Sequence, residues 1–277
     1  MNTPIFPTRT RAMVVAVVFS VSVLARCFGQ STTQTNTVAS TNVDATATNA
    51  AAADVPRTNT AIVPRLAAGF NRRHTNFVEI AKKGDIDVLF MGDSITDWWQ
   101  TPAPVGGSNV FVKYFGSLKL ANFGIAGDTT QGVLWRLQNG EGQGYKPKAI
   151  MLMIGTNNTG RNSAPEIIEG ITAVVTELRK DFPDARILLL AVFPRSTPGT
   201  PVRAKIDEIN VGIAKLNDLN HVYYLDFNAK FLDAEGNFLP NVFRTDRLHP
   251  VEAGYEIWAQ AVKEPLANLM KLAASSN

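Results

Sequence analysis

The 277-residue chain is 45% hydrophobic and 18% charged, ordinary proportions for a globular protein with a sizeable core. Its net charge is +3, but Arg9, Arg11 and Arg26 lie in the first 29 residues, which hold no acidic residue, so the remainder is neutral. That balance argues against a nucleic-acid-binding surface, and a single cysteine, Cys27, excludes an intramolecular disulfide framework.

Arg9 and Arg11 precede an apolar run at 12–25. The run is short for a membrane span and fits the core of a signal peptide, with small residues near Gly29 for cleavage. Residues 1–29 are therefore expected to export the protein to the periplasm or the exterior, with no stable membrane insertion after removal. An uncleaved N-terminal anchor is the alternative. Residues 30–62 are rich in Thr, Asn, Ala and Ser and have almost no large apolar side chains. Such a segment cannot offset the entropy of ordering and is expected to be a disordered linker.

The folded domain is expected over 63–277. Phe70, Phe77, Ile80 and Ala81 predict a leading amphipathic helix that ends at Gly84. Apolar runs at 87–91, 119–123, 149–154, 186–193 and 221–226 have the near-continuous character of parallel strands covered on both faces. Helical periodicity lies between them. Ser163 and Glu166 form a capping-box start, followed by Ile167, Ile171, Val174, Val175 and Leu178. Val202, Ile206, Ile209 and Ile213 mark the next helix. The last begins after Pro250, with a kink expected at Pro265. The alternation predicts one doubly wound α/β domain with right-handed crossovers.

Polar residues gather where the strands end. Gly92-Asp93-Ser94 follows the first strand and opens a short helix. A serine there lies at the carboxyl edge of the sheet, where open α/β folds hold ligands. The helix start offers backbone N–H groups to negative charge. Ser94 is thus a candidate nucleophile. After the second strand, the glycines of 122–128 allow close backbone approach, with the Gly127 N–H directed to the crevice. The spacing matches neither a dinucleotide-binding nor a Walker motif, so no nucleotide is implied. An amide side chain of Gly155-Thr-Asn-Asn158 can donate to an oxyanion, although Asn-Asn after a strand is also a common turn. Asp246 precedes His249 by three residues. A turn can bring its carboxylate to one ring nitrogen, leaving the other to take a proton from a serine. His74, beside Arg72 and Arg73, reads as part of a solvated helix face, and His221 as a loop residue. Three scattered histidines give no metal site, and no cofactor is expected. Trp98 and Trp99 read first as core residues at helical spacing, with substrate binding as the alternative.

The four motifs occur in an order that resembles the SGNH (GDSL-type) hydrolase family. The stretch Asn122-Phe-Gly-Ile-Ala-Gly-Asp-Thr-Thr-Gln-Gly-Val-Leu-Trp-Arg-Leu137, with Lys146-Pro-Lys148 and Gly155-Thr-Asn-Asn158, is most similar to the branch containing platelet-activating-factor acetylhydrolase catalytic subunits. The resemblance covers roughly residues 85–270. It implies a flavodoxin-like three-layer α/β/α sandwich with a five-stranded parallel sheet. It implies Ser94 as nucleophile, His249 as general base and then acid, and Asp246 as its orienting partner. The Ser94 N–H, the Gly127 N–H and the Asn157 side chain would form the oxyanion hole. Asn158 stands where many family members have aspartate, a feature that branch shares.

The expected activity is hydrolysis of short-chain, chiefly acetyl, esters through an acyl-enzyme without a cofactor. The expected partner is a small-molecule or carbohydrate ester, and no oligomeric state is implied. A lipid or phospholipid acetylhydrolase is the alternative within the class. A non-catalytic glycan-binding module is the alternative outside it.

Overall fold

Residues 58–275 are described by the computed structural model; the expected export segment and the linker up to residue 57 lie outside them. Five of the apolar runs form one parallel sheet. Its strands are β1 (Val88–Gly92), β2 (Leu120–Asn122), β3 (Ala149–Met153), β4 (Arg186–Leu190) and β5 (Val222–Leu225), in the order β2-β1-β3-β4-β5. The chain leaves β1 toward one edge and returns at β3 on its other side. The crevice at the carboxyl ends of β1 and β3 is therefore the switch point of the topology.

Alternation along the strands divides the core in two. Leu89, Met91, Ile150, Leu152, Ile187 and Leu189 face α1 (Asn71–Lys82), α4 (Thr130–Arg136), α5 (Ala164–Asp181) and α6 (Pro201–Ile213). Val88, Phe90, Met151, Met153, Leu188 and Leu190 face α3 (Ser108–Phe115) and α7 (Glu252–Ser275). Side chains on successive strand residues point to opposite faces, so each strand serves both layers. The result is an α/β/α sandwich.

Several boundaries differ from the sequence expectation for identifiable reasons. The apolar run 186–193 leaves the sheet at Leu190, although Ala191, Val192 and Phe193 stay buried. The Asn210 side chain takes over there: it accepts from the Val192 N–H at 2.8 Å and donates to the Val192 carbonyl at 2.9 Å. A buried backbone thus keeps its hydrogen bonds without a partner strand. Helix α3 was not signalled by the sequence, because only Val110 and Phe115 of its eight residues are fully buried. Helix α7 runs from Glu252 to Ser275 with Pro265 inside it. The capping box at the start of α5 is present, with Ser163 and Glu166 bonding reciprocally.

The expected linker reaches too far at its carboxyl end. Residues Thr60–Ile62 form a short 3-10 turn capped by Asn59. Ala61 is fully buried, and its carbonyl accepts from Thr130 Oγ1 at 2.8 Å. Asn59 donates to the Glu166 carbonyl at 3.1 Å and to Glu169 at 2.8 Å, while Asn162 donates to Thr60 Oγ1 at 3.0 Å. Small polar residues here dock by hydrogen bonding, which composition does not reveal. A chain beginning at residue 63 is expected to lose about 2–6 kcal/mol relative to one beginning at 58, from four net hydrogen bonds. Urea unfolding of the two forms measures it.

Candidate active site

The first strand delivers its serine through a tight turn. Asp93 caps α2 (Ser94–Asp97), with its Oδ1 accepting from the Ile95 N–H at 3.0 Å. Ser94 sits just beyond it, 6% exposed. Its hydroxyl and His249 Nε2 are 2.8 Å apart, across 155 residues of sequence. His249 Nδ1 lies 2.8 Å from Asp246 Oδ2. The carboxylate at Nδ1 keeps the ring proton there, so Nε2 accepts from the Ser94 hydroxyl.

The turn carrying His249 is built to aim the ring. The backbone N–H groups of Leu248 and His249 both donate to Asp246 Oδ1 at 3.0 Å. Arg247 adopts φ +52° within this turn, a left-handed conformation uncommon outside glycine. Its carbonyl accepts from the Ser196 N–H at 3.0 Å, and its own N–H donates to the Arg244 carbonyl at 2.9 Å. Partial burial alone would raise the Asp246 carboxyl. The hydrogen bonds from the His249 ring and from the backbone N–H groups of His249 and Leu248 outweigh it and hold that carboxyl below its ordinary range.

The two tryptophans part company. Trp98 stacks on the His249 ring, with centroids 4.1 Å apart and planes 22° apart. The Arg244 guanidinium lies over the Trp98 ring at 5.3 Å from its centroid. Trp99 is not at the site: it is 0% exposed and packs against Phe90, Phe115, Tyr255 and Trp258 in the α3–α7 layer. The proposed substrate-binding role of Trp99 is therefore corrected, since successive helical residues point about 100° apart.

Beyond β2, the loop 123–128 crosses close to α2. A side-chain carbon at Gly124 would lie 2.4 Å from the Asp97 backbone nitrogen, so only glycine fits. Asn122 donates to the Thr96 carbonyl at 2.8 Å and accepts from the Gly124 N–H at 2.9 Å. Arg73 donates to Asp97 Oδ1 at 2.7 Å and to the Gly124 carbonyl at 2.8 Å. Gly127, at φ +86°, turns the chain before Asp128. The Asn157 side chain donates one N–H to the Asp128 carbonyl at 2.8 Å, which leaves its second N–H uncommitted. Gly127 and Asn157 line one cleft of about 390 Å³. Asn158 accepts from the Thr130 N–H at 3.1 Å and donates to Gln131 at 2.8 Å. An aspartate there would lack the donor, which explains the amide.

Asp128 is held by a buried ionic cluster that the sequence did not disclose. Arg136, 0% exposed, reaches Asp128 Oδ2 at 2.8 Å and also pairs with Glu141. Glu141 in turn meets His74 Nδ1 at 2.9 Å. The expectation that His74 belongs to a solvated face is thus corrected; it lies against Glu141 and the edge of Trp135. His221 meets Arg186 at 2.6 Å on the far side of the sheet. Among the described residues no group of three or more His, Cys, Asp or Glu can hold a metal ion, and no helix is long and apolar enough to cross a membrane.

A parallel α/β/α sandwich with an acid, an imidazole and a serine in hydrogen-bonded series at its switch point defines a class of ester hydrolases. The chain belongs to the GDSL-like lipase/acylhydrolase family, whose model matches residues 90–257, and is a carboxylic ester hydrolase. It is 35% identical over 201 residues to platelet-activating factor acetylhydrolase IB subunit alpha2 of Rattus norvegicus, covering 72% of this chain and 84% of that one. Among solved structures, a GDSL-like lipase from Bacteroides thetaiotaomicron matches with a TM-score of 0.58 at 19% identity, over 72% of this chain and 98% of that one. An acetyl-xylooligosaccharide esterase from Geobacillus stearothermophilus matches at 0.52 and 22% identity, over 65% and 93%. These two likenesses establish the fold.

Next to Ser94, burial pushes the Asp93 carboxyl up to about 7, against the Ile95 N–H that favours its charged form. Its Oδ2 has no hydrogen-bond partner among the described residues. Between the unfolded value near 3.8 and about 7, the native state binds the extra proton, so Asp93 costs stability as pH rises through that window. Asp93→Asn keeps the cap and removes the charge. It is expected to gain on the wild type in unfolding free energy between pH 5 and pH 8, measured by denaturant titration.

Proposed function

We propose that this protein is a serine esterase that removes short acyl groups, chiefly acetyl, from carbohydrates, with Ser94, His249 and Asp246 as its catalytic triad. The observation that carries this reading is the continuous series Ser94 Oγ, His249 Nε2, His249 Nδ1, Asp246 Oδ2, with 2.8 Å at each hydrogen bond. His249 takes the Ser94 proton as the hydroxyl oxygen attacks the ester carbonyl. Asp246 stabilises the imidazolium that results. The Ser94 N–H, the Gly127 N–H and the free Asn157 N–H receive the oxyanion. Collapse of the tetrahedral adduct expels the alcohol, which takes the proton from His249. Water, deprotonated by the same imidazole, then cleaves the acyl-enzyme.

The choice of acyl group rests on the cleft that the two candidate oxyanion donors Gly127 and Asn157 line, with neither Ser94 nor His249 in its wall. Apart from Ala67, Ala68 and Gly127, its lining is polar: Arg65, Thr129, Gln131, Asn157, Asn158, Arg161 and Asn162. A long acyl chain needs apolar walls, whereas an acetyl group needs little space and a sugar offers many hydroxyls to such a surface. The Arg-flanked apolar run at 12–25 supports export, where acetylated polysaccharide is met. The 35% identity to a platelet-activating factor acetylhydrolase subunit supports the second reading, an acetyl phospholipid.

Ser94→Ala is expected to lower kcat on p-nitrophenyl acetate by about 10⁴-fold or more. Asn157→Ala is expected to cost about 10²–10³-fold, as for one oxyanion donor. Wild-type turnover by the Ser94→Ala protein would sink the mechanism, and glycan binding with no ester hydrolysis would favour a non-catalytic module. A series of p-nitrophenyl esters should fall in kcat/KM as the acyl chain lengthens. A preference for the long esters would overturn the carbohydrate reading. Trp98→Ala should lower kcat by about three- to tenfold through loss of the stack on His249, with Trp98→Phe retaining most of the rate.

A further inference from the structure

The cleft beside Gly127 and Asn157 contains two positive charges and no negative one. Arg65 and Arg161 are both among its lining residues, both are exposed, and neither forms an ion pair within the described residues. Their backbones are fixed to the elements that frame the site. The Arg65 N–H donates to the Gln131 carbonyl at 2.9 Å, at the start of α4. The Arg161 N–H donates to the Asn158 carbonyl at 2.9 Å, one residue from the candidate oxyanion donor. The guanidinium groups are thus carried from anchored positions in the lining of the same cleft.

Several of the other polar groups of the cleft are already engaged. The Asn158 amide bonds Gln131 and Thr130, and Asn162 donates to Thr60. What remains for a ligand is chiefly donors, two guanidinium forks, the second N–H of Asn157 and the Gln131 amide N–H, beside two neutral acceptors, Asn157 Oδ1 and the Thr129 hydroxyl. A cleft whose charged lining is two cations and no anion is complementary to a negatively charged ligand rich in acceptors. Guanidinium matches the oxygens of a carboxylate or a phosphate in a two-point fork.

We infer that this cleft is an anion subsite, and that the protein prefers acyl esters carrying a carboxylate or phosphate near the ester bond. The inference rests on the esterase reading and narrows its substrate to an acidic one. Arg65 and Arg161 act there as specificity determinants. They hold the anionic part of the substrate while the ester carbonyl meets Ser94, and they take no part in bond making or breaking. An acidic sugar such as a uronate and a glycerophosphate headgroup supply the same chemistry to this subsite.

The test compares three acetyl esters with the full-length enzyme: an O-acetyl methyl glucuronoside, the matching O-acetyl methyl glucoside, and an acetyl glycerophosphate. The expected result is a kcat/KM higher by about tenfold or more for an anionic ester over the neutral one at low salt. The advantage should shrink as ionic strength rises, because exposed charges are screened. The double variant Arg65→Gln, Arg161→Gln should bring the anionic-to-neutral ratio close to one. Whichever anionic ester leads identifies the source, acidic sugar or phosphate. Equal kcat/KM for all three esters overturns the inference without reference to any variant. A preference that survives the double substitution, or that is insensitive to salt, overturns it as well. If no ester is hydrolysed, the esterase reading fails, and calorimetric titration with methyl glucuronoside decides the subsite. Arginine-dependent binding upholds it, and absence of binding overturns it.

Discussion

The Arg136–Asp128 pair holds the site together from below. Arg136 has no exposed surface, and its guanidinium is divided between Asp128, Glu141 and the sulfur of Met91 on β1. It therefore joins β1, the loop after β2, the helix that follows and, through Glu141, His74 on α1. Removing Arg136 would leave two carboxylates uncompensated out of water, the costly way to break a buried ionic cluster. Such a pair adds little net stability compared with apolar packing. What it supplies is position: Asp128 is fixed, and the Asp128 carbonyl in turn anchors the Asn157 amide. The loop that carries Gly127 is thus tied to the strand that leads into Ser94.

Two carboxylates in one neighbourhood are tuned in opposite directions. Asp93 is buried, with one oxygen unpartnered, and its charged form is disfavoured. Asp246 meets solvent and collects three N–H donors, and its charged form is favoured. Environment alone separates two identical side chains into a structural cap and an ionic partner for imidazole. Neither assignment could be made from the residue type.

The legible part of the sequence was the part written locally. Five apolar runs located the five strands to within a few residues, and the residues after β1, β2 and β3 fell at one edge because a parallel sheet brings like ends together. Asp246 and His249 were readable because one turn encloses both, and Ser94 because it opens a helix after a strand. The unreadable part depended on contacts between distant segments. Nothing near His74 announces Glu141, which lies 67 residues away. Asn59, Thr60 and Ala61 look like linker until Thr130, Asn162 and Glu166 are placed beside them. Trp98 and Trp99 are neighbours of the same type, and only the direction of the short helix decides which meets the imidazole and which enters the core.

The Asp246 side chain is 41% exposed, whereas the His249 ring it supports is 15% exposed. The acidic end of the series therefore opens outward. Solvent and dissolved ions reach the carboxylate more readily than the ring, so its attraction for the imidazole is screened from one side. The couple is in this respect an interfacial pair.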